Sequence, residues 1–186
     1  MVSKLFKGAA LGVLTVAFLA GCGASNPTQP NKQPLSKEAL AKAVVINSTT
    51  PYRKGVSVPA AVQRECTLQT QLPDFIESYA EKAGVAVASV NSASSKKGRV
   101  LDMEIIHIVG SGGGAWSGAK SVSVEGKLYT DGKLTGTFTA TRHSGGGLFG
   151  GYKGTCSILG RCVKALGQDI SRWLESPYMD ARLGDA

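Results

Sequence analysis

Residues 121–142, SVSVEGKLYT-DG-KLTGTFTATR, decide the fold. Apolar and polar residues alternate on both sides of Asp131-Gly132, a dipeptide that readily takes the positive φ of a tight primed turn, so 121–130 and 133–142 read as the arms of a hairpin. Val122, Val124 and Leu128 are the inward residues expected on the first arm, and Leu134, Phe138 and Ala140 on the second. Ser121, Ser123, Glu125, Lys127, Thr135, Thr137, Thr139 and Thr141 are expected on the opposite, wet face.

Working outward, Arg99 to Val109 alternates in the same way, with Leu101, Met103, Ile105 and Val109 on one face and Asp102 and Glu104 on the other. Val85–Val90 has strand character, and Ala43–Ile46 reads as a short buried strand. Leu68, Leu72, Phe75, Ile76, Tyr79, Ala80 and Ala83 recur at intervals of three and four, the stripe of a helix buried on one side and ended by Gly84. Pro73 lies inside that stripe, so the helix is expected either to begin there or to kink there. A last helix uses Leu159, Cys162, Val163, Leu166, Ile170, Trp173 and Leu174 and stops before Pro177. Helices with one apolar stripe and strands with one apolar face must cover each other. The expected fold is therefore an α/β two-layer sandwich, a mostly antiparallel sheet of about five strands with two helices on one face.

The 186 residues suit one domain plus tails, and a hydrophobic content of 42% excludes wholesale disorder. The organisation expected is a signal peptide over 1–21, a flexible linker over 22–39 containing Pro27, Pro30 and Pro34, a single α/β domain over 40–176, and a tail over 177–186. Lys4 and Lys7 precede the apolar run Gly8–Ala20, which has the layout of a secretory signal and is shorter than a membrane span.

That run ends in Leu19-Ala20-Gly21-Cys22, which resembles the lipobox of bacterial lipoproteins. The resemblance implies cleavage before Cys22 and acylation of its sulfur, and two or more chains hold firmly because each buried methylene contributes roughly 0.8 kcal/mol. Gly23 stands where the resemblance would place Asp in a lipoprotein retained in the inner membrane, so the periplasmic face of the outer membrane is the location implied. The runs GGGAWSGAKSVSVEG, RHSGGGLFGGYKGTCSILGRC and VKALGQDISRWL, between Val100 and Leu174, are similar to those of an uncharacterised family of bacterial lipoproteins. The α/β order also resembles that of periplasmic envelope-assembly domains. Neither resemblance brings an activity with it.

The formal charge is +8, and removal of 1–21 with its two lysines leaves 8 − 2 = +6. No basic helix, zinc-finger spacing or aromatic RNA-binding run accompanies it, so nucleic acid is not an expected partner. Two glycine-rich loops, Gly110–Gly118 and Ser144–Gly154, miss both nucleotide motifs: Ala119 stands at the P-loop lysine position, and the acid downstream of Gly145, Gly147 and Gly150 falls inside a helix. Trp116, Phe149 and Tyr152, with Lys120, Arg142 and Lys153 nearby, have the composition of interface anchors, although the aromatics would equally cap the end of a core.

Cys66, Cys156 and Cys162 remain after lipidation, and outside the cytosol two should pair. On chain entropy Cys66 gains most from pairing, roughly 4 to 5 kcal/mol. Cys156 and Cys162 on one helix would rise about 9 Å apart, out of disulfide reach. Cys66 with Cys156 is thus favoured, with Cys162 as a packed thiol. His143 beside Cys156 would suit a thiol enzyme or small hydrolase. Two His without ligand spacing make no metal site, and no cofactor is expected. The reading is a lipid-anchored binding or assembly module of the envelope, with enzyme and passive structural lipoprotein as the alternatives.

Overall fold

Val44–Asn47 (β1) is the strand about which one half of the sheet is organised, in a computed structural model that describes residues 42–94, 97–110, 120–144 and 154–186. Helices Ala60–Glu65 (α1) and Leu68–Lys82 (α2) follow, then strands Val87–Val90 (β2), Arg99–Val109 (β3), Lys120–Thr130 (β4) and Lys133–Ser144 (β5), helix Thr155–Glu175 (α3) and strand Ala181–Gly184 (β6). The strand order is β2-β1-β3-β4-β5-β6. Long antiparallel ladders join β3, β4 and β5, and short parallel ones add β1 and β2 at one side and β6 at the other. The pairs β1–β2 and β5–β6 are each bridged by helix, as a parallel connection requires.

The fold is the expected α/β class, with six strands and three helices among the described residues rather than about five and two. The expected tail over 177–186 is corrected: Ala181 and Leu183 stand opposite Phe138 and Ala140 in the sheet, and Ala181 is buried. A four-residue strand after Pro177 carries too little alternation to be read. Residues 1–41 lie outside the described residues, and with them the signal peptide, Cys22 and the linker.

Asp131 (φ 49°) and Gly132 (φ 81°) make the expected primed turn. Two bulges then shift the faces. The register slips between Ile105 and His107, so that Ile108 rather than Val109 enters the core, and it slips again beside Thr135, which turns Leu134 outward at 44% exposure. A bulge inserts one residue, and every side chain beyond it changes face.

The helices cover one face. Along α3, Leu159, Cys162, Val163, Leu166, Ile170, Trp173 and Leu174 are all buried, as the stripe predicts, and each large apolar side chain contributes roughly 1.5 to 3 kcal/mol. Gly167 lets α3 approach α2, because a Cβ there would stand 2.5 Å from the Phe75 Cβ and 3.1 Å from its backbone. Ser171 Oγ donates across this crossing to the Ile76 carbonyl at 2.9 Å. Gly126 leaves the space filled by Phe138, whose ring meets Trp173 edge-on at 5.0 Å.

Pro73 neither begins nor ends its helix; it sits inside α2. Having no N–H, it cannot bond the carbonyl of Gln69 one turn earlier. The Thr50 amide donates to that carbonyl instead, at 2.9 Å.

Candidate functional site

The sequence-expected anchors are not one patch. Trp116, Phe149, Tyr152 and Lys153 lie outside the described residues. Lys120 begins β4 on the helix-covered face, is 2% exposed, and donates from Nζ to the Gly110 carbonyl at 3.3 Å, so it is a buried structural lysine rather than a surface anchor. The two-residue period carried back from Val124 and Val122 puts Lys120 on the same inward face, a signal passed over because the strand was expected to begin at Ser121.

Arg142 is also engaged within the fold. It faces α3 at the end of β5 and forks onto Asp169, Nε to Oδ2 at 2.7 Å and Nη2 to Oδ1 at 2.8 Å. Its third donor reaches Asp185 Oδ1 at 3.1 Å. Asp169, 8% exposed on α3, is thereby neutralised where an unpaired carboxylate would be costly. Asp185 accepts the His143 amide at 2.9 Å, and that bond holds its carboxyl below the usual range. Asp185 also donates its own N–H to the Thr141 carbonyl at 2.8 Å. These contacts tie β5, α3 and the chain beyond β6 together.

Cys66 and Cys156 form a disulfide with Cα atoms 5.1 Å apart, as chain entropy and helix rise favoured. Cys156 therefore has no free thiol to offer His143. Cys162 is buried, and desolvation pushes its thiol pKa up, away from the reactive thiolate. On the face away from the helices, where Ser121 and Ser123 are buried rather than wet, Arg53 bridges Glu104 at 2.9 Å and Glu125 at 2.6 Å, which holds Glu125 below its ordinary pKa and leaves two acids at adjacent cross-strand positions compensated.

A surface that sequence reasoning missed lies between the last turns of α3 and β6. A cleft of about 360 Å³ is lined by Asp169, Arg172, Trp173, Tyr178, Arg182 and Leu183, among others. Arg172 and Arg182 are exposed and form no ion pair among the described residues. Tyr178 and Met179 are 56% and 47% exposed. Exposed Tyr, Met and unpaired Arg are the residue types that interfaces favour. The visible signal was the run Tyr178-Met179 in a segment otherwise expected to be a polar tail.

No family model and no curated protein matches the chain. One solved structure it resembles is a minor lipoprotein from Acinetobacter baumannii, at 15% identity and a TM-score of 0.40 over 74% of this chain and 94% of that one. At that TM-score the likeness carries no functional inference.

Proposed function

We propose that the chain is a bacterial envelope lipoprotein, anchored through Cys22 at the periplasmic face of the outer membrane, whose α/β domain works by binding a partner during envelope assembly. The carrying observation is Leu19-Ala20-Gly21-Cys22 at the end of the apolar run Gly8–Ala20. Two further observations support the reading. The Cys66–Cys156 disulfide suits an oxidising compartment. Exposed Tyr178 and Met179 with Arg172 and Arg182, which form no ion pair among the described residues, supply a surface suited to a partner.

The test is metabolic labelling with an alkynyl fatty acid followed by membrane fractionation. The full chain should incorporate label and partition with the outer membrane, and Cys22→Ala should lose both. Label retained in Cys22→Ala, or unlabelled chain in the soluble fraction, defeats the anchor.

A further inference from the structure

Strand β6 ends the sheet order among the described residues. The Asp185 amide bonds to Thr141, and Ala181 and Leu183 stand opposite Phe138 and Ala140, so in the alternating parallel pattern residues 181, 183 and 185 serve β5. The N–H and C=O of Arg182 therefore turn toward the open edge, where no described group meets them. The α3 cleft has Arg182, Leu183 and Gly184 of this strand in its lining, with Trp173, Tyr178 and Leu183 as its apolar part. Arg172 supplies a cation from the helix side, while Arg182, in register with Thr139, leaves the strand on the opposite face, so the edge carries a cation on each side. The acid inside it, Asp169, is already occupied by Arg142.

Two demands thus fall on any occupant: a backbone able to pair with Arg182, and negative charge opposite two arginines. A phosphate or sugar acid meets only the second. A neutral strand meets only the first. An extended peptide with acidic side chains meets both, and the net charge of 8 − 2 = +6 left after removal of 1–21 favours its approach. We propose that this edge and cleft bind an extended acidic segment of a partner protein, added beside β6 as a further strand with its carboxylates at Arg172 and Arg182. The proposal rests on the binding role above and is independent of the lipid.

The test uses the mature lipidated chain in non-ionic detergent and a fluorescein-labelled octapeptide of repeated Glu-Glu-Thr-Thr, which as a strand carries carboxylates on both faces, read by anisotropy and by amide hydrogen exchange. Binding should protect the Arg182 amide. It should weaken at least about tenfold in Arg172→Ala/Arg182→Ala at unchanged Tm, and by as much when alternate peptide nitrogens are methylated on the edge-facing side. Replacing every Glu by Lys should abolish it. Equal binding of the methylated peptide would reduce the contact to charge alone, and equal binding by the variant would place it elsewhere; either overturns the proposal, as does binding without Arg182 protection or no binding at all. A chain that binds the peptide but takes up no fatty acid loses the anchor and keeps this site, and the reverse outcome separates them the other way.

Discussion

At one edge of the sheet Glu77 reaches from α2 and accepts both the N–H and the hydroxyl of Ser89, so that an outward donor of β2 is already spent; at the other, the amide and carbonyl of Arg182 in β6 have no hydrogen-bond partner among the described residues. The flanks also differ in what fastens them. On the β2 side the fastening is apolar, with Val44, Ile46, Leu72 and Ile76 buried, while the Cys66–Cys156 bridge ties the turn between α1 and α2 to the start of α3, which packs on β4, β5 and β6, and so joins one flank to the other. On the β6 side much of the fastening is polar: Arg142 to Asp169 and Asp185, and Thr137 Oγ1 to Asp180 at 3.1 Å. Edge strands with free donors invite pairing, and proteins normally obstruct them. Here one edge is obstructed and the other is open, which marks the open one as the edge suited to a partner.

The largest expected effect concerns the bridge between the flanks. Replacing both Cys66 and Cys156 by Ser should lower unfolding free energy by about 4 to 5 kcal/mol, because the bridge spans a sequence separation of 90 residues. Urea unfolding of the two forms measures it, and a loss under about 1 kcal/mol would show that packing alone holds the flanks together.

A smaller effect should distinguish the flanks by pH. The folded Asp185 carboxyl has a pKa below its unfolded value, chiefly through the His143 amide and then the Arg142 charge. Its contribution is therefore complete above roughly pH 4 and is lost as pH falls through the lowered folded value. Because Asp185 is well exposed, the loss should stay below about 1 kcal/mol. Hydrogen exchange, corrected for intrinsic rates, should show the Asp185 amide losing protection in acid before that of Val44. Simultaneous loss at both would erase the distinction.

The obstructed edge is read by association rather than by stability. Glu77→Ala should free the Ser89 donor and produce concentration-dependent association in sedimentation velocity. A variant that stays monomeric would mean the obstruction has another source.

Much of the centre of this fold is legible in the chain, because local pattern and burial agree there. The Asp131-Gly132 turn, the inward Val122, Val124, Phe138 and Ala140, and the stripe of α3 are all found as read. Ile108 and Leu134 fall on faces opposite to those expected because bulges break the two-residue period, and a bulge has little signature in one sequence. The flanks were only partly readable for a different reason: β1 and β2 are found where a short strand was expected, at Val44–Asn47 and Val87–Val90, whereas β6 was not read, and the parallel partners of all three four-residue strands are chosen by tertiary packing. The candidate surface was harder still. Arg142 looked like a surface cation because Asp169 and Asp185 are remote in sequence, and Arg172 and Arg182 become neighbours of one cleft only once β6 has docked.

Proline at position 73 has an outcome that reaches beyond its own helix. The Gln69 oxygen it leaves idle is reserved for a visitor, the chain arriving after β1, so a local defect becomes an address for a distant segment. Swapping in alanine would perfect the helix as an isolated peptide while setting a second claimant against Thr50, and the repaired part would then compete with the whole.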